Sequence, residues 1–259
     1  MKFSIYKNIL FIGFVVLITL SCKPSYKVTH INSSNTVIEN NLSTDNFSEF
    51  DLSQYKNKID KQMNEVISNS KIEMDVNSPE GLLGNFICDL TLFTTTQILK
   101  KDADFCILNN GGFRTSLPKG NITVGKIFEL MPFDNQLVLL ELDGNQMIEL
   151  INYIKQKSFL SDSRKAGVPI SGMRISIIGA DIYRVFIGTK EFDNSKKYKV
   201  VTTNYLANGG DQMNFFKNAN QIENTNVLLR DAIIDYLKLL QKQKINLDAE
   251  LDGRIEVSE

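Results

Sequence analysis

The chain has 259 residues, 42% hydrophobic and 23% charged. This length suits one large domain or two small ones, and this balance excludes disorder throughout. With 29 basic and 30 acidic residues the net charge is −1, and the single histidine is His30; these counts argue against a binder of duplex nucleic acid and against a histidine-rich metal centre or catalytic triad.

Residues 1–21 read as a signal segment rather than as part of the fold. Lys2 and Lys7 precede an apolar run from Ile9 to Leu20. A membrane span needs ~20 apolar residues, so the run has the length of a signal-peptide core. Leu20-Ser21-Cys22 closes it and resembles a lipoprotein processing site, which implies a lipidated Cys22, a membrane anchor and a place in the cell envelope. The other reading is a short membrane helix followed by a buried cysteine. Residues 22–50 are rich in Ser, Asn and Thr and read as a flexible tether, with His30 inside it. One folded domain is expected over 51–259.

Leu52, Tyr55, Ile59, Met63 and Val66 recur at helical spacing and predict an amphipathic helix. Ser78-Pro79 marks the start of the next one, with Ser78 as the expected cap. Leu82, Leu83, Phe86, Ile87, Leu90 and Phe93 make that helix apolar enough to be central. Strands are predicted over 103–108, 137–142 and 198–204, and a hairpin over 173–187 turning at Gly179-Ala180-Asp181. Further helices are predicted over 125–130, around 147–154 and over 228–240. The mixture predicts an α/β or α+β fold, with a mixed β-sheet flanked by helices. Cys88 and Cys106 either close a short loop, permitted in an exported compartment, or stay reduced in the core.

Three turns, each just after an apolar run, carry candidate chemistry. They are Asn109-Asn110-Gly111-Gly112-Phe113-Arg114, Pro132-Phe133-Asp134-Asn135 and the stretch from Asn204 to Gly209-Gly210-Asp211. Ligand sites gather in loops beyond strand ends. Gly112 and its neighbour allow close backbone approach, Arg114 offers a fork for phosphate or ribose oxygens, and Asp211 accepts from hydroxyl groups. Phe133 and Tyr205 offer flat faces for a ring; Asn109 and Asn135 offer a donor and an acceptor to its edge. Taken singly, each is as well explained by a turn, a core aromatic or a surface charge, and no phosphate-loop or dinucleotide motif is present.

Together these stretches resemble the C-terminal domain of the 5′-nucleotidase family. The likeness also runs through Leu83-Gly84-Asn85-Phe86-Ile87-Cys88-Asp89, Ile170-Ser171-Gly172-Met173 and Asp252-Gly253-Arg254-Ile255. It implies a base clamped between Phe133 and Tyr205, ribose held by Asp211, Arg114 near phosphate and ribose, and Asn109 and Asn135 near the nucleoside. It also implies a disulfide between Cys88 and Cys106. Two features depart from the pattern. The family places another arginine shortly before Leu-Gly-Asn, whereas residues 72–85 here contain no arginine or lysine. The family's enzymes also carry a metallophosphoesterase domain with two divalent metals, for which this sequence offers no matching stretch. The resemblance therefore implies a nucleotide or nucleoside ligand, no cofactor in this chain, and a separate metallophosphoesterase chain as the bearer of the metals.

Overall fold

The apolar runs of the central strands lie between two hydrophobic cores. The computed structural model describes residues 53–160 and 166–258; the signal segment, Cys22, His30 and the tether lie outside the described residues. In chain order the elements are α1 (Ser53–Met63), β1 (Val66–Ser70), α2 (Leu82–Leu99), β2 (Phe105–Ile107), β3 (Gly120–Thr123), α3 (Val124–Leu130), β4 (Gln136–Leu142), α4 (Gly144–Ser158), β5 (Ile170–Ser171), β6 (Met173–Ile178), β7 (Asp181–Ile187), β8 (Lys190–Glu191), β9 (Tyr198–Thr203), α5 (Asn204–Ala207), β10 (Asn220–Leu228), α6 (Leu229–Lys242) and β11 (Ile255–Ser258). Short 3₁₀ turns lie at Asn110–Gly112, Gly210–Gln212 and Asn214–Phe216.

A five-stranded sheet runs in the order β10-β4-β9-β2-β5. β2 and β9 are parallel, and the other neighbours are antiparallel. Side chains alternate across it, as the pleat requires. Leu137, Leu139, Cys106 and Val201 pack into one core with α2, α3 and α6. Val138, Leu140, Leu142, Phe105, Ile107 and Val200 pack into a second core with α4 and the sheet β11-β6-β7-β8. Covered on both faces, these strands need no polar alternation, which is why they read as plain apolar runs. The fold is thus the expected mixed sheet flanked by helices.

Local chemistry explains the boundaries. Asp143 caps α4: its Oδ1 accepts from the Gln146 N–H at 3.0 Å, and Gln146 Oε1 accepts from the Asp143 N–H at 3.0 Å. Thr123 caps α3, accepting from the Lys126 N–H at 3.2 Å. Asp252-Gly253-Arg254 serves as a clamp. Arg254 forks onto Asp89 at 2.8 and 2.7 Å and donates to the Ile170 carbonyl at 2.9 Å, joining the approach to β11 to α2 and β5.

The structure departs from the sequence reading in places. Val66 begins β1 instead of continuing α1, and Tyr55 and Ile59 on α1 are 60% and 55% exposed. The cap position of α2 is Gly81, and Ser78 instead donates through Oγ to the Ser158 carbonyl at 3.1 Å. β10 was not foreseen. Its sequence, NQIENTNVL, lacks apolar alternation because it is an edge strand, bulged in its pairing with β4.

Cys88 on α2 and Cys106 on β2 are free thiols, both wholly buried and within hydrogen-bonding contact of each other. The structure therefore has two neighbouring free thiols in place of the implied bond. Burial, then the neighbouring Cys106 thiol, pushes the Cys88 thiol well above its usual range. Native protein treated with iodoacetamide is expected to stay unlabelled at both positions. Protein unfolded in urea without reductant is expected to label at both, read by peptide mass spectrometry.

Candidate functional site

Strand direction decides where the three candidate turns go. β2 and β9 run parallel, with Phe105 beside Val200 and Cys106 beside Val201. The turns that follow them, at Asn109 and at Tyr205, therefore leave the same end of the sheet. β4 runs antiparallel to β9, with Leu137 beside Thr203. The segment preceding β4, which carries Phe133 and Asn135, thus enters at that same end. α4 starts beyond the far end of β4 and spans 15 residues, about 22 Å at helical rise, so its last turns return to this rim.

A cavity of about 560 Å³ opens there. All seven candidate ligand residues line it: Asn109, Gly112, Arg114, Phe133, Asn135, Tyr205 and Asp211. Phe133 and Tyr205 are 41% and 45% exposed, so neither ring is sealed in the core. The rings come from separate loops onto one cavity.

Each loop is braced from behind. The Arg114 N–H donates to the Leu130 carbonyl at 2.9 Å, fixing the first turn against the end of α3. Asn110 is buried and donates through Nδ2 to the Ala166 carbonyl at 2.7 Å. The Phe133 segment is held by α6: the Leu229 N–H donates to the Asn135 carbonyl at 2.8 Å, and Arg230 pairs with Asp134 at 2.7 Å. The Arg230 guanidinium lies 4.5 Å from the Phe128 ring centroid and also donates to the Met131 carbonyl at 3.4 Å. Asn204 at the start of α5 accepts from the Gln136 N–H at 3.0 Å, tying the Tyr205 turn to β4.

Gly210 packs against Tyr205. A Cβ built at Gly210 would lie 2.5 Å from the ring, so a residue without a side chain lets the backbone close over it. Asp211 follows with φ 49°, a left-handed conformation that aspartate tolerates better than most residues. Each of its carboxylate oxygens accepts one internal bond. Oδ2 accepts from Asn109 Nδ2 at 2.6 Å and Oδ1 accepts from the Tyr205 hydroxyl at 3.0 Å. Burial, then this bond to Asp211, pushes the Tyr205 phenol above its usual range. One N–H of the Asn109 amide thus goes to Asp211.

Sequence reasoning missed one wall. Tyr153 and Lys157 on α4, with Gly167, Val168, Gln212 and Met213, also line the cavity. The Tyr153 hydroxyl donates to the Asp211 carbonyl at 2.9 Å. Burial, followed by the nearby Asp211, raises its phenol above the ordinary range. The available signal was a Tyr and a Lys four residues apart on one helix face.

The cavity contains one carboxylate, amides, phenols and two cations, and no imidazole. Among the described residues no cluster of three or more His, Cys, Asp or Glu side chains gathers. This donor set does not fit a two-metal centre.

A mixed sheet with a cavity of this size built from three loops at one rim is a common setting for a small-ligand site. The family model for the 5′-nucleotidase C-terminal domain matches residues 61–218, and the chain belongs to that family. It is 27% identical over 220 residues to the trifunctional nucleotide phosphoesterase protein YfkN of Bacillus subtilis, covering 79% of this chain and 15% of that one. It is 27% identical to a 5′-nucleotidase of Vibrio parahaemolyticus, covering 72% of this chain and 33% of that one. Among solved structures, a 5′-nucleotidase precursor from Thermus thermophilus superposes with a TM-score of 0.68 at 31% identity, over 80% of this chain and 42% of that one. The chain thus spans less than half the length of these relatives.

Arg230→Met removes the pair to Asp134, the contact with Phe128 and the donor to the Met131 carbonyl. It is expected to lower stability by ~1–2 kcal/mol in urea denaturation. Gly210→Ala is expected to displace the Tyr205 ring and weaken ligand binding at least tenfold in calorimetry, with the far-ultraviolet circular dichroism unchanged.

Proposed function

We propose that this domain is the nucleotide-recognition half of a 5′-nucleotidase whose metals and nucleophilic water reside on a separate metallophosphoesterase chain. The observation that carries this reading is the convergence of Phe133, Tyr205 and Asp211 on one cavity in a domain of this family. A planar base stacks between the two rings, worth ~1–3 kcal/mol by analogy with other base–aromatic contacts. Asp211 turns its carboxylate toward the ribose hydroxyls, accepting from them on lone pairs that its bonds to Asn109 and Tyr205 leave open. Arg114 faces the phosphate and presents the ester to the other chain. The base edge falls to Asn135, whose side chain lines the cavity.

All seven candidate ligand residues lie on this chain, which favours one second reading: a nucleotide- or nucleoside-binding protein that works alone. The signal-like segment before Cys22 supports attachment of either form to a membrane of the cell envelope through an acylated cysteine. Intact mass spectrometry of the mature N terminus tests that attachment, with Cys22→Ser expected to release the protein.

Calorimetry of the purified chain with nucleoside monophosphates is expected to show binding that Phe133→Ala and Asp211→Ala each weaken tenfold or more. Phosphate release is expected on mixing with a metallophosphoesterase chain from the same cell, at a rate above the sum of the two alone. Binding with no gain on mixing selects the stand-alone binder. Absence of binding to any of the four common bases overturns both readings.

A further inference from the structure

The cavity's charges point to a narrower class of ligand. Its lining carries Arg114 and Lys157 against one carboxylate, Asp211. That carboxylate is bound at both oxygens by neutral donors, Asn109 and Tyr205, and by neither cation. Neither Arg114 nor Lys157 forms an ion pair among the described residues. Among the described residues, then, two cations share one cavity without a counter-charge of their own.

Lys157 is held in place without a carboxylate. Its ammonium lies 5.3 Å from the centroid of the Tyr153 ring, a contact that steadies a cation while leaving its three N–H groups free for other partners. The ring is itself fixed. Its hydroxyl donates to the Asp211 carbonyl at 2.9 Å, and its plane meets Phe215 edge-on, with centroids 5.7 Å apart. The Lys157 carbonyl accepts from the Gly167 N–H at 2.9 Å, and Gly167 lines the same cavity. Lys157 also lies in the last turn of α4, where the carbonyl end of the helix favours a positive charge. The lysine is thus braced on a ring at the wall of the site.

We propose that Lys157 is the second anion-binding residue of this cavity, acting with Arg114 on the phosphoryl group of the ligand, and that the site selects phosphorylated nucleosides over neutral ones. The inference rests on the nucleotide reading above and assigns the discrimination within it to a particular side chain. Arg114 supplies a planar fork and Lys157 a compact charge with rotatable donors, so together they approach a phosphate from different elements.

The test is calorimetry on the whole chain with the four ribonucleoside 5′-monophosphates and the matching nucleosides, at two salt concentrations. Lys157→Gln is expected to weaken the monophosphates about tenfold and to leave the nucleosides within about twofold, with a shallower salt dependence for the monophosphates. Lys157→Arg is expected to retain most of the affinity. Lys155→Gln, the same charge change on the same helix outside the cavity lining, is expected to alter neither ligand. Equal losses for nucleoside and monophosphate, or no change in either, overturn the assignment of Lys157 while the nucleotide reading stands. Wild-type protein that binds neither class overturns the reading itself, and this inference with it.

Discussion

The pairing of β9 with β2 in parallel and with β4 in antiparallel is the constraint on which the rest of the molecule depends. Parallel pairing delivers the ends of β2 and β9 to one rim, and antiparallel pairing delivers the start of β4 there as well. Three segments far apart in sequence are thereby collected within one cavity before any side chain in them is considered. The two hydrophobic cores on either face of these strands hold the pairing in register. A one-residue slip would exchange Leu139 for Val138 across the sheet and unseat both cores at once.

On that rim, Asp211 is the knot. Its left-handed backbone costs ~1–2 kcal/mol in a residue with a side chain, and it is held by contacts from three elements. Asn109 reaches it from the turn after β2, Tyr205 from α5 and Tyr153 from α4. The same contacts fix the Tyr205 ring from its hydroxyl end while Gly210 closes over it. The Phe133 segment belongs to a separate system, anchored by Arg230 and the start of α6. The two halves of the aromatic pair are thus supported by different parts of the fold.

Much of this was legible in the sequence where the pattern was short-range. The central strands announced themselves as apolar runs, and the site turns as Asn, Gly and Asp clusters directly after them. The family likeness ordered those turns into a single site. What escaped was either polar or shared between elements. β10 lies at a sheet edge and has no apolar face to betray it. Tyr153 and Lys157 read as ordinary positions on an amphipathic helix, since only the return of α4 to the rim gives them a cavity to face. The engagement of Asn109 with Asp211 depends on a contact across 102 residues that no local pattern encodes. The stripe on α1 misled in the opposite sense: Tyr55 and Ile59 keep helical spacing but remain largely uncovered.

Each oxygen of the Asp211 carboxylate accepts one internal hydrogen bond and keeps a further lone pair that can accept another. A donor brought to that carboxylate therefore adds to the Asn109 and Tyr205 bonds rather than replacing them, and the rim keeps its ties while the carboxylate takes a new partner. An acceptor pinned in this way is oriented in advance, with little of the ordering cost that a floppy side chain incurs.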